Sequence, residues 1–512
     1  MSCSGTLSLP HTTKSVCPEC LKVIDAEIKE KNGKVIIEKT CKEHGTFTDT
    51  YWSDANYFKR ATEQDYPGCG VENPRTETKK GCPYDCGLCP NHKSHTALAL
   101  IDVTNRCNLR CPICFANAAH AGYVYEPSLD EIRQILVNFK SNMPVPAPAV
   151  QFAGGEPTIR KDFPEIVKIA RQVGFSHVEI ATNGIRIAQD FNFAKAVKEA
   201  GLSTLYLQFD GVTPEPFIAA RGRNLLPMKL KTLENCRKAG LHSIVLVPTI
   251  VKGVNDHQIG DIVRFAIKNK DIVRGINFQP VSITGRIDKE EREKMRITIP
   301  DVSKLMEQQT NGMIKAEDFY TCCSTVPLSR VLGPLTGKQG VEFSCHPACG
   351  VATYLFIEED GTVNPITHYV DYIGLIKELN KRQQEGTLEG QLLDVVEKFV
   401  KDESIADMLQ TIFTDPSYEA LGKYSRSAIL VGSMHFMDPF NFDGERVCRC
   451  VIHYGVPAKK GVPGPIIPFC AMNSIHRPVV EKALGTPIDQ WVKSHKGVTV
   501  GPSEVGGIVE KA

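Results

Sequence analysis

Short apolar runs alternate with longer amphipathic stretches from residue 97 onward. The apolar runs have the length of buried strands, and each intervening stretch is long enough for a helix that crosses back over a sheet. This alternation is typical of βα units around a parallel sheet, and six units predict an α/β fold with a partial (β/α)6, TIM-like barrel. The six predicted strands are 97–103, 149–153, 177–182, 204–209, 243–249 and 275–280.

Helix signals support the same pattern. Ser128 stands three residues before Glu131, which predicts a capping box at the start of the first crossover helix. Beyond the barrel, residues 284–296 are polar and charged and are typical of a surface loop, and further helices are predicted at 302–309 and 390–401. We therefore expect three segments: a cysteine-rich module over 1–95, the barrel over 96–285, and a C-terminal region over 286–512.

Composition argues against a nucleic-acid-binding protein and against a membrane-spanning one. The 512 residues are 42% hydrophobic and 23% charged, with a formal net charge of +1, so the chain has no overall field that would attract nucleic acid or an anionic membrane. The apolar stretches are shorter than the roughly 20 residues that span a bilayer. We expect a cytoplasmic protein without a nucleic-acid partner.

Nineteen cysteines in so long a chain favour metal binding over disulfides. The most informative group is Cys107, Cys111 and Cys114, in the run NRCNLRCPICF directly after the first predicted strand. Three thiolates at this spacing can hold three irons of a 4Fe-4S cluster and leave the fourth iron open for a small molecule. The run resembles that of radical S-adenosylmethionine (SAM) enzymes.

The resemblance to radical SAM enzymes extends to the ends of successive predicted strands and implies a SAM site there. The GGEP run after the second strand is similar to the run that reaches the methionine part of SAM, with a carboxylate as charged acceptor. Thr182 and Asn183 follow the third strand at the positions of the ribose contacts, Gln208 and Thr249 are similarly placed on the next two strands, and Ile113, inside the cysteine run, is at the position of the adenine contact. The SAM-binding residues expected on this basis are Ile113, Gly154, Gly155, Glu156, Pro157, Thr182, Asn183, Gln208 and Thr249.

The remaining cysteines predict further metal sites. A rubredoxin-like or zinc-ribbon-like mononuclear iron or zinc site is expected from Cys17, Cys20, Cys41 and Cys69, with His44 as the alternative to Cys69. Two auxiliary 4Fe-4S clusters are expected, one of them completed by a C-terminal cysteine, and Cys322 or Cys323 is an alternative ligand. Their expected ligands are Cys82, Cys86, Cys89, Cys345, Cys349, Cys448, Cys450 and Cys470.

The whole set of motifs, including CHPACG and the terminal PFCAMN run, resembles the archaeal tetraether lipid synthases. This resemblance implies a carbon–carbon bond-forming radical SAM enzyme. A 5′-deoxyadenosyl radical would abstract hydrogen from terminal methyl carbons of an archaeal isoprenoid ether lipid. The implied partners are that lipid, reached with or without peripheral membrane contact, and a reductant such as ferredoxin or flavodoxin.

Two other functions remain open from the sequence. One is a radical SAM methylase that acts on a pterin-like heterocycle; the chain shows no cobalamin-binding domain for it, although the pair Cys322 and Cys323 offers thiols that could carry a methyl group. The other is a non-catalytic iron-sulfur electron carrier or scaffold. The GGEP run argues against the carrier, because an electron carrier needs no SAM pocket. Lipid headgroup and oligomeric state are not readable from the sequence.

Overall fold

The computed structural model of the chain describes residues 8–336, 339–387, 392–402, 428–458, 463–495, 497–498 and 500–501. Its strands are β1 (His11–Val16), β2 (Val23–Lys31), β3 (Lys34–Cys41), β4 (Gly45–Trp52), β5 (Leu98–Thr104), β6 (Tyr123–Val124), β7 (Ala149–Gly154), β8 (His177–Thr182), β9 (Thr204–Gln208), β10 (Ile244–Val247), β11 (Thr249–Ile250), β12 (Val273–Pro280), β13 (Tyr320–Thr321), β14 (Gly350–Ile357), β15 (Val363–Pro365), β16 (Ala428–Met434), β17 (Ile452–Gly455), β18 (Ile466–Pro468) and β19 (Thr486–Pro487).

The α-helices are Ala55–Thr62, Leu129–Lys140, Phe163–Val173, Ile185–Gln189, Phe191–Glu199, Pro214–Arg221, Leu226–Ala239, Ile259–Lys268, Arg292–Met295, Ile299–Gln309, Val326–Thr336, Ile366–Tyr369, Tyr372–Glu385, Leu392–Phe399, Gly444–Cys448, Phe469–Ala471, Arg477–Leu484 and Ile488–Ser494. Short 3-10 turns lie at Pro157–Ile159, Asp256–Gln258, Ala316–Asp318, Cys322–Thr325 and Pro347–Cys349, and a π-turn lies at Met472–His476. None of the helices in the described ranges has the length and apolar character that crossing a bilayer requires.

The N-terminal strands form a four-stranded antiparallel sheet in the order β1-β2-β3-β4. Trp52 and Phe58 are fully buried against each other, at the junction of this sheet with the helix Ala55–Thr62. Since β1 and β3 run in the same direction, the turns that follow them lie at one end of the sheet. The turn 17–22 carries Cys17 and Cys20, while Cys41 ends β3 and His44 lies in the turn 42–44.

The six strands predicted from the sequence are all present and parallel, in the spatial order β5-β7-β8-β9-β10-β12. At least one helix crosses between each consecutive pair. The predicted strand 243–249 is divided into β10 and β11, because Pro248 lies between them and lacks the N–H that a ladder needs. The capping box on Leu129–Lys140 is confirmed, with Ser128 and Glu131 bonded reciprocally.

The C-terminal region contributes strands to both edges of this sheet. β16 lies parallel beside β12, and β17 lies parallel beside β5. Antiparallel β14 and β18 then cover the new edges. Edge strands expose unpaired N–H and C=O groups, so these additions protect the central sheet. The region expected to carry auxiliary clusters is therefore joined to the sheet, while the boundaries at 95 and 285 stay predictions.

Both helices predicted in this region are present in the described residues. The helix predicted at 302–309 begins earlier, at Ile299–Gln309, where Thr298 and Asp301 form another capping box. The helix predicted at 390–401 is observed as Leu392–Phe399, and positions 388–391 lie outside the described residues.

A buried ion cluster joins the N-terminal module to the C-terminal region. Arg296 lies between two carboxylates, with Nη2 donating to Asp49 at 2.8 Å and Nη1 donating to Asp438 at 2.8 Å. Asp49 belongs to β4 and Asp438 to the C-terminal region, and the Asp438 side chain is fully buried. Lys39 lies nearby, and burial lowers its pKa to about 8. The cluster therefore fixes the small sheet against the central one.

We expect Asp438→Ala to lower the free energy of unfolding by about 3–5 kcal/mol, because it leaves the buried Arg296 guanidinium with one carboxylate fewer. Anaerobic urea denaturation followed by circular dichroism measures this change. Glu199→Gln, which removes an exposed partner of Lys195, is the control and should leave the transition midpoint where it is. Equal midpoints for both variants would show that the buried cluster does not stabilise the fold.

Candidate functional site

The cysteine trio lies on a loop that leaves the carboxyl end of β5. Cys107 is buried, and Cys111 and Cys114 are partly buried. Burial raises the pKa of both Cys107 and Cys111, so these sulfurs become thiolates only if a metal cation balances their charge. The arrangement fits a cluster held by three thiolates.

The loop is fixed by a segment that follows the last predicted strand. Cys114 and Arg286 exchange two backbone hydrogen bonds of 2.9 Å, and Arg286 Nε also donates to the Cys111 carbonyl at 2.5 Å. Gly285 approaches so closely that a Cβ there would lie 2.4 Å from the Cys114 and Phe115 carbonyl oxygens. The sequence reasoning missed Gly285 and Arg286, which lie in the stretch expected to be a surface loop.

The two glycines at the end of β7, Gly154 in the strand and Gly155 directly after it, pack against the start of the cysteine loop. A Cβ on Gly154 would lie 2.1 Å from the Thr104 carbonyl oxygen, and a Cβ on Gly155 would lie 2.1 Å from that of Arg106. Any side chain at either position would force the strand end away from the loop. The glycines therefore set the distance between the cysteine loop and the rest of the pocket.

Glu156 ties two strand ends together. Its buried carboxylate accepts hydrogen bonds from the Thr158 amide and hydroxyl, from the Thr182 hydroxyl at 2.6 Å, and from the Asn183 amide at 2.7 Å. Asn183 in turn donates to Asn108 of the cysteine loop at 2.8 Å. The expected contact of Glu156 with SAM stays a prediction, because four donors of the chain already occupy the carboxylate.

The next strand ends are organised by an ion pair that the sequence reasoning missed. Arg221 forms a two-pronged pair with the buried Asp210, with both distances at 2.7 Å. The same guanidinium donates to the Ile113 carbonyl at 3.0 Å and to the Thr249 hydroxyl at 3.1 Å. Ile113, expected at adenine, and Thr249, expected among the strand-end contacts, are thus brought together. The position of Asp210, two residues past a strand end, was the available signal.

Gln208 is joined to the same group through Lys229. The ammonium group of Lys229 donates to the Gln208 side-chain oxygen at 2.8 Å and to the Asn183 carbonyl at 2.5 Å. Lys229 is fully buried on the helix Leu226–Ala239, and burial lowers its pKa to about 7. Lys229 therefore links Asn183 and Gln208, two of the expected SAM-binding residues.

Polar side chains also lie on the inner face of the central sheet, before the carboxyl ends of its strands. The Tyr206 hydroxyl accepts hydrogen bonds from the Asn277 and Gln279 amides, the second at 3.0 Å. Closer to the amino ends of the strands, Gln151 donates to Glu179 at 2.7 Å. These groups offer donors and acceptors to a molecule placed beside the SAM pocket.

A second metal-binding group lies at the end of the N-terminal sheet. The ligand atoms of Cys17, Cys20, Cys41 and His44 all lie within 4.8 Å of one another. The Cys20 and Cys41 sulfurs are 3.9 Å apart, close to the spacing of about 3.8 Å that tetrahedral zinc with bonds near 2.3 Å requires. The Glu43 amide, helped by His44, lowers the pKa of Cys41 to about 6, which favours the thiolate. The donor set fits a tetrahedral metal ion.

The expected ligand Cys69 does not lie in this group. Its sulfur is 3.3 Å from Gln339 Nε2 and 3.9 Å from His95 Nδ1. The two hairpin turns at the end of the sheet already supply four donors, and Cys69 follows the helix Ala55–Thr62 on another side of the module. His44, the alternative from the sequence, takes the place of Cys69.

The second CxxxCxxC group is joined by a C-terminal cysteine. A hydrogen bond with Cys448 and then burial raise the pKa of Cys82, and the pKa of Cys86 is raised by burial and by the charges of Cys89 and Cys448. The loop is shaped by Asp85, whose carboxylate accepts from three successive amides, 79 to 81, at 2.6–2.7 Å. Four thiols therefore come together at this place.

The other C-terminal cysteines form a third group. The pKa of Cys345 is raised first by a hydrogen bond with Cys322 and then by burial. Burial also raises the pKa of Cys470 to about 12, and Cys349 adds to this shift by its charge. Cys450 lies within electrostatic reach of both Cys470 and Cys349. In contrast, Cys323 turns to the Gln64 carbonyl and the Thr321 hydroxyl, so Cys322 is the member of the pair that faces the thiols.

Family models match two parts of the chain. The model of the Radical SAM superfamily matches residues 101–266, which contain the cysteine trio and the strand ends described above. The model described as the HMPTM N-terminal zinc ribbon domain matches residues 9–53, which contain Cys17, Cys20, Cys41 and His44. The chain therefore binds SAM and a 4Fe-4S cluster, and carries a further metal site in its ribbon.

Individual relatives cover more of the chain. It is 48% identical over 501 residues to the 7,8-dihydro-6-hydroxymethylpterin dimethyltransferase of Methanocaldococcus jannaschii, covering 94% of this chain and 97% of that protein. It is 26% identical over 285 residues to the GTP 3',8-cyclase of Clostridium acetobutylicum, covering 55% and 84%. Among solved structures, SuiB of Streptococcus suis shares 20% identity over 43% of this chain and 47% of its own, with a TM-score of 0.36.

The M. jannaschii relative overturns the expected lipid chemistry. The chain was expected to couple archaeal isoprenoid ether lipids, with that lipid as its partner, whereas the relative that matches it over nearly its whole length is a pterin dimethyltransferase. The expectation of a tetraether lipid synthase is therefore wrong. The motifs behind this expectation bind metals and SAM. Enzymes with different substrates share such motifs, so the motifs carried no information on the substrate.

The cysteine trio, the strand-end residues, the family models and the full-length relative agree. The chain belongs to the radical SAM superfamily and carries an N-terminal zinc ribbon.

Proposed function

We propose that this chain is a radical SAM methyltransferase that acts on a reduced pterin-like heterocycle. The observation that carries the proposal is the 48% identity over nearly the whole length of a 7,8-dihydro-6-hydroxymethylpterin dimethyltransferase. The polar inner side of the sheet supports it. A fused heterocycle presents ring N–H and amino donors beside ring-nitrogen and oxo acceptors, which the Glu179 carboxylate and the Asn277 and Gln279 amides can match.

The chain's own residues would divide the work at the SAM pocket. Cys107, Cys111 and Cys114 hold the cluster, which supplies the electron that cleaves SAM to methionine and a 5′-deoxyadenosyl radical. The pocket residues are Ile113, Gly154, Gly155, Glu156, Pro157, Thr182, Asn183, Gln208 and Thr249. Arg221 and Lys229 are positioning residues, because each bonds to two of these pocket groups.

The other thiol groups suggest one mononuclear site and two auxiliary clusters. We assign Cys17, Cys20, Cys41 and His44 to the mononuclear ion. Cys82, Cys86, Cys89 and Cys448 form one auxiliary site. The second draws on Cys322, Cys345, Cys349, Cys450 and Cys470, four of which suffice for a cubane. A ferredoxin- or flavodoxin-type protein is the proposed reductant.

Anaerobic incubation with dithionite, a 6-hydroxymethyl-dihydropterin, excess SAM and an added one-carbon donor of the reduced-folate type tests the proposed reaction, because the SAM that is cleaved to 5′-deoxyadenosine leaves its methyl group on methionine. We expect 5′-deoxyadenosine and a pterin that has gained one or two methyl groups, detected by mass spectrometry. Cys114→Ser should abolish both products, because the cluster loses one of three ligands, whereas Cys236→Ala, in the helix Leu226–Ala239, should retain them. Formation of 5′-deoxyadenosine with the pterin unchanged, in the presence of added methyl donors, would reject a pterin as substrate.

Lys229→Met tests the SAM pocket. The change leaves the Asn183 carbonyl and the Gln208 side-chain oxygen without their donor, so we expect SAM binding to weaken about tenfold while the iron content stays the same. Equilibrium dialysis of SAM against the anaerobic protein measures this affinity. Lys231→Met lies on the same helix but points to the surface, where it pairs with Glu234, and serves as the control. Equal affinity in both variants would remove Lys229 from the pocket.

Metal analysis tests the ribbon assignment. Cys41→Ser should lose about one metal ion per chain, because the group keeps only three ligands. Cys69→Ser should keep the full metal content. Plasma mass spectrometry of both purified variants gives the comparison and also separates zinc from iron. A loss of metal in Cys69→Ser, with Cys41→Ser unchanged, would reverse the assignment.

A further inference from the structure

One buried arginine of the C-terminal region lacks the acidic partner that other buried arginines have. Five buried arginines each form an ion pair with an aspartate or a glutamate. They are Arg106, Arg160, Arg296, Arg449 and Arg477. Arg446 is only 2% exposed, yet no carboxylate within the described ranges lies in ion-pair distance of it.

The protein contacts of Arg446 leave its charge unbalanced. One guanidinium nitrogen donates to the His435 carbonyl at 2.6 Å, and Nε has no partner among the described residues. The guanidinium also lies 5.6 Å from the centre of the Tyr51 ring, whose hydroxyl donates to Asp443 at 2.7 Å. A carbonyl and a distant ring do not compensate a full positive charge in a dry interior.

The group that can compensate the positive charge of Arg446 is the set of C-terminal thiols. The His435 residue that accepts from Arg446 donates its own amide to the Cys349 carbonyl at 3.1 Å, and the nearby Met437 amide donates to the Cys470 sulfur at 3.4 Å. A neutral thiol offers no charge that could compensate the guanidinium. Thiolates that ligate iron keep their negative charge, and a cluster with four of them is an anion.

Two neighbouring histidines provide an independent observation. Among the described residues, His435 has no hydrogen-bond partner at either ring nitrogen, and His346, which directly follows Cys345, has none at Nε2, although both side chains are buried. Buried polar atoms are ordinarily paired. His346 is the chain neighbour of Cys345 and His435 is bonded to the Cys349 backbone, so these unpaired atoms belong to the segments that carry the thiols and point to a bound polar group there.

We propose that Arg446 is the counter-charge of an iron-sulfur cluster ligated by Cys349 and Cys470, and that its fixed positive charge makes this cluster easier to reduce. The inference rests on the second auxiliary cluster of the proposed function. Reduction adds one electron from the external reductant and hence one negative charge, which a buried cation at the ligand sulfurs stabilises. Arg446 is a positioning residue in this account, because it acts through the ligands.

The test measures the reduction potential of the auxiliary clusters directly. Cys107, Cys111 and Cys114 are replaced by serine in every sample, so that the SAM cluster does not contribute to the signal. Arg446→Gln and Arg446→Lys are then titrated anaerobically with dithionite and followed by electron paramagnetic resonance, with iron and sulfide analysis of each sample. Arg237→Gln, which removes a surface partner of Asp271, is the matched control.

We expect Arg446→Gln to shift one auxiliary signal to a lower potential, while Arg446→Lys and Arg237→Gln keep the original value. If Arg446→Gln loses the iron of one cluster and Arg446→Lys keeps it, the charge is needed to hold the cluster, which also supports the proposal. Unchanged potentials in Arg446→Gln, or equal losses in the glutamine and lysine variants, would overturn it.

One further variant separates this inference from the proposed reaction. The double variant Cys349→Ser/Cys470→Ser keeps only three of the five thiols and should lower the iron content by about one cluster, and full iron content in it would remove the cluster on which Arg446 acts. The pterin assay is independent of both measurements. A shifted potential without methylated pterin would reject the substrate and leave the role of Arg446 intact.

Discussion

Charge balance around buried sulfur is the constraint on which this molecule depends. Thiols are closely packed in two places, where a hydrogen bond with Cys448 raises the pKa of Cys82 and a hydrogen bond with Cys322 raises the pKa of Cys345. When such thiols bind metal, they become ligands that connect distant parts of the chain. The metal sites are therefore part of the folding free energy as well as of the chemistry.

Around this constraint the parallel sheet brings the SAM pocket together. The carboxyl ends of β5, β7, β8 and β9 meet at one edge. Their spacing is fixed by hydrogen bonds that Glu156 accepts and that Arg221 and Lys229 donate. The sequence predicted the six strands because their apolar runs have regular lengths, and it predicted the cysteine trio because ligand spacing along one loop is visible in the chain. Both are local properties.

The parts that could not be predicted depend on contacts between distant residues. Cys69 looked equivalent to His44 until the two hairpin turns of the small sheet selected the histidine. Asp210 and Arg221 pair across a loop and a helix, and Lys229 reaches the pocket from a helix without any local signal. The substrate was predicted wrongly because the recognisable motifs bind metal and cosubstrate, while the inner side of the sheet, formed by Tyr206 and its neighbours, follows no simple motif.

The joining of Cys82, Cys86 and Cys89 to Cys448 has a consequence for the order of maturation. The first three ligands leave the ribosome long before the fourth, and β17, which brings the last segment onto the sheet edge, follows directly after it. A nascent chain therefore presents a three-thiol loop that is open to exchange with solvent. Stable loading of the proposed cluster at this position therefore requires a chain that has been synthesised past Cys448.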